Sequence, residues 1–277
     1  MESLPLISQP VSPKGLDESV FTYHGHLGEF AYVALPLIPL RAQPSERAEQ
    51  VSQLLHGQYM LILEHRESWV FVRVLDDGYE GWCTEKMVVV ISEKLTRQAF
   101  AAPRVLTISP LSLCETVNGQ AYLPAGSRLL DGERVLAAAL TATISHLSTS
   151  SVTPTTLAMG FLNAPYLWGG KSALGMDCSG LVQVTFAMCG MLMPRDARQQ
   201  ALLGTQVDNL ADATAGDLAF FHNEEGRVVH VGLLLEGKRI IHASGWVRID
   251  RWDEQGIFDG VRGVYSHRLQ QIRRIFI

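Results

Sequence analysis

The chain has 277 residues, a length that predicts two or three domains rather than one. Hydrophobic residues make up 47% of it, enough to fill real cores, and the formal net charge is −5. The sequence holds no basic run, so we expect no nucleic-acid partner. It also holds no stretch near the roughly 18 apolar residues of a membrane span, so we expect no membrane partner.

The N-terminus and the cysteines predict a compartment. Residues 1–19 lack the basic segment and the continuous apolar stretch of a secretory signal. The cysteines show no CxxC pairing, which is typical of free thiols in a reducing compartment. They are Cys83, Cys114, Cys178 and Cys189. We expect a cytoplasmic protein, with a periplasmic or cell-surface location as the alternative if a signal peptide has been removed.

The first half of the chain predicts small β-barrels. An irregular, proline-containing lead-in occupies residues 1–20, and short strands with tight turns follow to residue 95. The stretch Trp69–Leu75 is apolar enough to be a central strand. We therefore assign residues 1–95 to a first barrel with its lead-in. Residues 96–150 form a second, degenerate barrel in this prediction, although the segment 134–147 is also compatible with a short helix.

From residue 151 the pattern changes to helices followed by strands. Thr153 and Pro154 mark a helix start, and "DARQQALLG" is a further helix candidate. The segment "DCSGLVQVTFAMCG" predicts a buried helix capped by Asp177 and ended by Gly190. Three apolar strands, "GDLAFF", "VVHVGLLLE" and "RIIHASG", come next. Residues 151–277 are therefore expected to form an α+β domain with an antiparallel sheet.

Cys178 lies where a helix favours an anion. The first turn has unpaired N–H groups and the positive end of the helix dipole, and both favour a thiolate. Cys189 lies at the opposite end among apolar residues, so we interpret it as an inert core thiol. We expect no disulfide between the two, because eleven residues of the predicted helix would separate their Cα atoms by about 16 Å.

A nucleophilic thiol needs a base, and two histidines are candidates. His230 precedes the apolar "VGLLL" strand, and His242 follows "RII" on the next. A hairpin tip with an odd number of residues, such as 236–238, makes them diagonal neighbours on one face of the sheet, whereas a two-residue tip places them on opposite faces. We favour the odd tip.

Less specific interpretations remain for these residues. A lone cysteine in an apolar helix is more often a core residue, and a lone histidine at a strand start is more often structural. Cys178, His230 and His242 are also potential zinc ligands, although none of them is paired at close spacing. The "GGKS" at 169–172 is not a phosphate-binding loop, because Pro165 occupies the position of the required first glycine.

Several motifs in order from residue 165 onward resemble the NlpC-type cysteine peptidases of bacterial cell-wall metabolism. They are "PYLWGG", "DCSGLV", "MPRDARQQ", "AGDLAFF", "HVGLLL" and "IHASG". The resemblance implies a papain-like α+β fold, in which the nucleophilic cysteine opens a helix that packs on a sheet carrying the histidine.

The resemblance also implies roles for individual residues. Cys178 matches the nucleophile, His230 the general base and His242 the polar residue that orients the base. Tyr166 matches a hydroxyl near the cysteine that donates to the oxyanion, and the Cys178 backbone N–H is a second candidate donor. Asp177 and Ser179 flank the cysteine and are candidates for binding the substrate. For Asp177 the alternative of a helix cap alone stays open.

The first half resembles the bacterial SH3-like barrels that accompany this catalytic domain, most clearly at "VSQLLHGQ" and "WVFVRVLDDGYEGWC". This layout is similar to the γ-D-glutamyl-L-diamino-acid endopeptidases. In that subgroup the first barrel forms one side of the substrate pocket. The pocket therefore has room only for a peptide whose N-terminal L-Ala is free. A free ammonium needs anionic or acceptor partners, for which Asp177, Tyr79, Glu49 and Glu46 are candidates. The alternative to substrate binding for Tyr79 is a structural role in a turn. For the two glutamates the alternative is a solvated position on the surface.

The implied reaction is hydrolysis of the bond between D-Glu and meso-diaminopimelate or Lys in free muropeptides, as in cell-wall recycling. It needs no metal or organic cofactor. Two other functions stay open at this stage: an amidase or acyltransferase that uses the same Cys-His-His set, and a non-catalytic cell-wall-binding protein. The sequence predicts no oligomeric state.

Overall fold

The computed structural model describes residues 29–102, 104–138 and 153–275, together with three two-residue strands that precede them. The chain divides into two compact units, Met1–Thr149 and Ser150–Ile277. Apart from residues 8–9, the lead-in predicted for residues 1–20 lies outside the described residues. Within the described ranges, no helix has the length and apolar character needed to cross a membrane.

The first unit consists almost entirely of short strands, as predicted. These strands are β1 (Ser8–Gln9), β2 (Thr22–Tyr23), β3 (His26–Leu27), β4 (Glu29–Val33), β5 (Leu37–Arg41), β6 (Gln50–Leu55), β7 (Tyr59–Arg66), β8 (Trp69–Val74), β9 (Glu80–Thr84), β10 (Val88–Ile91), β11 (Arg104–Val105), β12 (Leu111–Thr116), β13 (Gly119–Pro124) and β14 (Arg134–Ala138).

Seven of these strands form one antiparallel sheet in the order β10-β4-β7-β8-β9-β5-β6. Strand β8 occupies the middle position, which confirms the central strand predicted from its apolar sequence. Alternate residues of β8 point into the core, so Val70, Val72 and Val74 are buried while their neighbours are partly exposed. Ala31, Leu40 and Cys83 are among the residues that complete this core.

One helix of the first unit was missed by the sequence prediction. Helix α1 (Glu93–Ala101) begins at Ser92, whose side chain accepts a hydrogen bond from the Leu95 N–H. It buries Thr96 and Phe100. The boundary placed at residue 95 falls inside this helix, because the prediction followed the strand pattern and overlooked the serine cap.

A three-stranded sheet, in the order β13-β12-β14, and the two-stranded pairs β1-β11 and β2-β3 complete the described part of this unit. The ring of His56, at the end of β6, lies 2.8 Å from the Glu133 carboxylate beside β14, and both side chains are fully buried. This contact fastens the small sheet to the larger one. The assignment of residues 96–150 to a separate barrel stays a prediction. Most of the segment considered as a helix, from residue 139 onward, lies outside the described residues.

The second unit begins with helices and ends with strands. Its helices are α2 (Pro154–Met159), α3 (Cys178–Met188) and α4 (Ala197–Gln200). Its strands are β15 (Lys171–Ser172), β16 (Gly175–Met176), β17 (Thr205–Gln206), β18 (Leu218–His222), β19 (Val228–Leu235), β20 (Arg239–Ser244), β21 (Trp246–Trp252), β22 (Gly256–Asp259) and β23 (Val264–Arg274). The predicted α+β order is confirmed, although the last helix has only four residues.

The sheet of the second unit closes on itself. Strands follow the order β23-β18-β19-β20-β21-β22, and β22 pairs again with β23. Helix α3 packs against β19 and β20. The interior of the closed sheet is mainly apolar, and it is filled by Ala219, Phe221, Leu234, Ile240, Trp252, Ile257 and Ile272.

The hairpin between β19 and β20 has the odd tip that was predicted. Its tip comprises residues 236–238, and Gly232 lies directly opposite His242. His230 is two residues before Gly232 on the same strand, so both histidines point to the interior of the closed sheet. Gly232 leaves room beside them, because a Cβ at this position would lie 3.0 Å from the Cβ of His242.

Candidate active site

Helix α3 begins at the candidate nucleophile. Asp177 is its N-cap, and the carboxylate accepts a hydrogen bond of 2.7 Å from the Gly180 N–H. Cys178 is therefore the first helical residue, where backbone N–H groups have no partner inside the helix. Gly180 is required because a Cβ there would collide with the Gly170 carbonyl oxygen. The cap and the helix end at Gly190 confirm the sequence prediction.

The Asp177 carboxylate is the centre of a buried polar cluster. Its two oxygens accept hydrogen bonds from the Gly169 and Gly180 N–H groups, from the Ser179 hydroxyl and from both terminal nitrogens of Arg195. The Arg195 contacts measure 3.1 and 2.6 Å, and its side chain is 2% exposed. A bidentate pair of this kind fixes the geometry of the turn that carries Cys178.

The two candidate histidines form a chain that continues to a third residue. His230 Nε2 lies 2.9 Å from His242 Nδ1, and His242 Nε2 lies 3.0 Å from Asp250 Oδ2. The second oxygen of Asp250 accepts a hydrogen bond of 2.8 Å from Arg248. Asp250 lies on β21, diagonally across from His242 on β20, because Arg248 is the residue directly opposite His242.

The charge of Asp250 determines where the protons of this chain lie. Burial opposes its ionisation, but hydrogen bonds from His242 and Arg248 outweigh burial and lower its pKa. An ionised carboxylate only accepts, so the hydrogen lies on His242 Nε2 and the lone pair of neutral His242 lies on Nδ1. His230 Nε2 must therefore donate to His242. Neutral His230 then carries its lone pair on Nδ1, the nitrogen that is free to accept a proton.

The thiol of Cys178 lies against the strand that carries His230. Burial and the Asp177 carboxylate raise the pKa of Cys178 to about 12, and hydrogen bonding from the Val231 and Ser179 N–H groups opposes this shift. Burial also lowers the pKa of His230 well below 6.5, and positive charge on His267 or His242, when either ring is protonated, adds to the effect by repulsion. Both shifts favour the uncharged forms, so the resting site holds a thiol and a neutral imidazole.

Tyr166 lies close enough to share this electrostatic environment. Burial raises its pKa to about 12, and the nearby Cys178 and Asp177 add to the shift. The phenol stays protonated at neutral pH and its O–H remains a donor. The backbone N–H of Tyr166 bonds to the Gly245 carbonyl, which ties this loop to the turn between β20 and β21.

The remaining candidates for substrate binding are divided between the two units. Asp177 and Ser179 lie at the start of helix α3, and the structure assigns the helix cap to Asp177. Tyr79 packs against the core of the first sheet, and its N–H bonds to the Asp77 side chain in the turn before β9. Glu49 is exposed, and Glu46 is exposed and pairs with Arg41 at 3.0 Å. The role of each in binding a substrate amine stays a prediction.

Sequence reasoning missed three residues of this site. Arg195 lies within the quoted motif "MPRDARQQ", but a lone arginine gives no sign that it is buried. Asp250 lies eight residues after His242 in the sequence. A tight turn followed by the next strand gives this spacing. His267 lies on β23, and its ring stacks on that of His230 with centroids 4.1 Å apart. The pairings of β23 with β18 and with β22 bring His267 there.

The neutral resting site predicts how alkylation of Cys178 by iodoacetamide depends on pH. Because the thiolate is the reacting form and its pKa is raised, each pH unit below that pKa lowers the thiolate fraction tenfold. We expect the rate at pH 7 to be about one thousandth of the rate at pH 10, because both values lie below the raised pKa. The Cys178→Ala variant measures background reaction at the other three cysteines. A rate already maximal and flat below pH 7 would indicate a preformed thiolate–imidazolium pair.

Asp250→Asn tests the direction of the hydrogen bonds. Because Arg248 requires an acceptor, the new amide oxygen faces Arg248 and the amide NH₂ group faces His242 Nε2. His242 then carries its hydrogen on Nδ1 and donates to His230, so the lone pair of His230 Nδ1 is lost. We expect kcat for amide hydrolysis to fall about a hundredfold or more.

The control for Asp250→Asn is Asp259→Asn, which changes the other carboxylate that Arg248 contacts, at 3.4 Å. It should retain kcat within about threefold, because Asp259 accepts hydrogen bonds from Arg248 and from the Val261 and Arg262 N–H groups rather than from the histidine chain. Equal losses in the two variants would contradict the assigned direction of the hydrogen bonds.

Comparison with known proteins identifies both halves of the chain. The model of the NlpC/P60 family matches residues 163–265, and the model of the bacterial dipeptidyl-peptidase Sh3 domain matches residues 40–86. The crystal structure of an NlpC/P60 family protein from Bacillus cereus superimposes with a TM-score of 0.71 at 20% sequence identity, covering 88% of this chain and 99% of that one. This likeness shows the fold, with an SH3-like all-β region followed by a papain-like domain.

Two relatives match most of the chain. The gamma-D-glutamyl-L-lysine dipeptidyl-peptidase of Bacillus subtilis is 30% identical over 217 residues, which cover 69% of this chain and 71% of the relative. Dipeptidyl-peptidase 6 of Lysinibacillus sphaericus is 28% identical over 261 residues, which cover 81% and 92%. Together with the geometry of the thiol and the histidines, these matches show that the chain belongs to the NlpC/P60 family of cysteine peptidases and carries a bacterial SH3 domain ahead of its peptidase domain.

Proposed function

We propose that this peptidase hydrolyses the bond between the γ-carboxyl of D-Glu and an L-diamino acid in peptidoglycan-derived peptides that begin with a free L-Ala. The diamino acid is Lys or meso-diaminopimelate. The name of the Bacillus subtilis relative, a gamma-D-glutamyl-L-lysine dipeptidyl-peptidase, supports this bond. The SH3 domain supports it as well, since the same domain type is named for bacterial dipeptidyl-peptidases.

The observation that carries the proposal is the chain of hydrogen bonds from Asp250 through His242 to His230, beside a buried thiol. It leaves an acceptor on His230 Nδ1, which is what a thiol needs in order to attack an amide. Such a site hydrolyses an unactivated amide through a covalent intermediate, with the orienting groups already in place.

Acylation starts when His230 takes the Cys178 proton as the sulfur attacks the γ-carbonyl carbon of D-Glu. The carbonyl oxygen becomes an oxyanion, which accepts hydrogen bonds from the Tyr166 hydroxyl and from the Cys178 backbone N–H. The C–N bond then breaks, and the His230 imidazolium gives its proton to the departing amine. The diamino acid leaves as a neutral amine, and a γ-glutamyl thioester remains on Cys178.

Deacylation repeats the same proton transfers with water. His230 accepts a proton from the attacking water, and the oxyanion forms again in the same place. The C–S bond breaks, and the proton returns to the sulfur. The products of the full cycle are L-Ala-D-Glu and the diamino acid, which is free if it ended the peptide and otherwise keeps the residue that follows it. The site returns to its neutral resting state.

The proposal includes a location and a role: the peptidase acts in the cytoplasm, where it recycles imported muropeptides. It is supported by the four free cysteines of the chain and by the small size of the proposed substrate. Peptides of three or four residues with a free L-Ala are products of wall degradation rather than parts of intact wall.

The test is cleavage of L-Ala-γ-D-Glu-L-Lys and its meso-diaminopimelate analogue, beside the N-acetylated form of each, followed by mass spectrometry. We expect cleavage at the γ-D-Glu bond of the free peptides. Acetylation should lower kcat/KM at least about thirtyfold, because it removes the charge of a buried, paired ammonium. Cys178→Ala should lower kcat/KM at least about a thousandfold, while Cys189→Ala, a change at the C-cap of the same helix, should retain activity.

Two outcomes would contradict parts of the proposal. Equal cleavage of free and acetylated peptides would rule out recognition of the amine by Asp177, Tyr79 or Glu49. Release of another product, such as free L-Ala, would show that the same nucleophile acts on a different amide bond.

A further inference from the structure

The strand that closes the sheet of the peptidase domain brings a third histidine to the candidate base. His267 lies on β23, directly opposite Ile257 of β22. Ile257 is part of the interior of the closed sheet, so His267 points into the same interior as His230. The two residues are 37 positions apart in the sequence and belong to strands that do not pair with each other.

The His267 ring is held in a defined orientation. It stacks on His230 with centroids 4.1 Å apart and an interplanar angle of 23°, and it stands nearly perpendicular to His242, at 85°. Its Nδ1 lies 2.8 Å from the Ser266 hydroxyl. Phe221 contacts both stacked rings, with centroids 5.9 Å from His230 and 6.0 Å from His267. His230 is therefore packed between neighbours that restrict the rotation of its ring.

The cluster has the composition of a metal site but not the geometry of one. One ring nitrogen from each of His230, His242 and His267 lies within 4.8 Å of the others. A ligating nitrogen aims its lone pair within the ring plane, so two stacked rings aim past each other rather than at one ion. Moreover, His230 Nε2 and His242 Nδ1 bond to each other, and His242 Nε2 bonds to Asp250. A stack of aromatic rings describes the cluster better.

A stacked aromatic ring has a specific use beside the base. His230 becomes an imidazolium during both acylation and deacylation, in a site whose burial disfavours positive charge. A neutral aromatic face stabilises an adjacent cation without competing for its N–H groups. Burial lowers the pKa of His267 to about 4, with a further contribution from His242, so its ring is neutral at the pH of the reaction.

We propose that His267 is a positioning residue of this peptidase, whose ring fixes the plane of the His230 imidazole and stabilises its cationic form. This inference rests on the proposed function only in taking His230 as the base. The ring, and not its nitrogens, carries the effect. Any flat aromatic side chain at position 267 therefore serves, and an aliphatic side chain of similar volume does not.

The test compares His267→Phe with His267→Leu in the full chain. His267→Phe keeps the stack and should retain kcat within about threefold. His267→Leu should lower kcat about tenfold, the scale of a buried cation–π contact, with KM changed less than twofold. Ser266→Ala is the matched control for loss of the hydroxyl bond and should behave like His267→Phe. If His267→Leu does not fold, His267→Met supplies the same comparison.

Equal losses in His267→Phe and His267→Leu would overturn the proposal, and so would full kcat in His267→Leu or a loss confined to KM. The pKa of the His230 imidazole, measured by ¹H–¹⁵N NMR of the free protein, separates this inference from the choice of substrate, since it requires no peptide. If the wild-type chain cleaves none of the γ-glutamyl peptides, a His230 pKa about one unit lower in His267→Leu but not in His267→Phe still supports the stack, and equal pKa values contradict it.

Discussion

The negative charge of Asp250 is the constraint on which the rest of the site depends. Because this carboxylate only accepts hydrogen bonds, every donor in the chain to His230 points toward it. Arg248 keeps it ionised by binding its other oxygen. The acceptor on His230 Nδ1 is thus a consequence of a charge two residues away along the hydrogen-bonded chain. The histidine that orients the base is itself oriented by a carboxylate.

A second buried ion pair fixes the nucleophile. Asp177 and Arg195 lock the turn before helix α3, and this turn sets where the helix begins and where the thiol points. The pair adds little stability on general grounds, because burying two charges costs about as much as their attraction returns. Its contribution is geometric. The two halves of the site are therefore positioned by two separate carboxylates, each held by one arginine.

Local signals in the sequence predicted the elements that carry this site. The cap at Asp177 and the stop at Gly190 were predicted correctly, since each depends on a few adjacent residues. The three-residue tip between β19 and β20 was also predicted correctly, but it was favoured because it places both histidines on one face of the sheet. Helix α1 was missed although Ser92 is an ordinary cap, because the strand pattern around it was stronger.

Closure of the sheet had no such local signal. The pairing of β23 with β18 joins segments far apart in the sequence, and together with the pairing of β23 with β22 it decides that His267 faces His230. Burial of Arg195 and the role of Asp250 depend in the same way on tertiary contacts that no short pattern records. The resemblance to the family supplied the nucleophile and both histidines, but not the residues that hold them.

The direction of the hydrogen bonds can be observed without any substrate. Long-range ¹H–¹⁵N correlation NMR of the free protein, labelled at its histidines and recorded near pH 7, identifies which ring nitrogens carry hydrogen. His230→Gln and His242→Gln variants assign the two signals. We expect a neutral ring at His230, and a hydrogen on Nε2 of both residues. An imidazolium at His230, or a hydrogen on its Nδ1, would contradict the assigned direction.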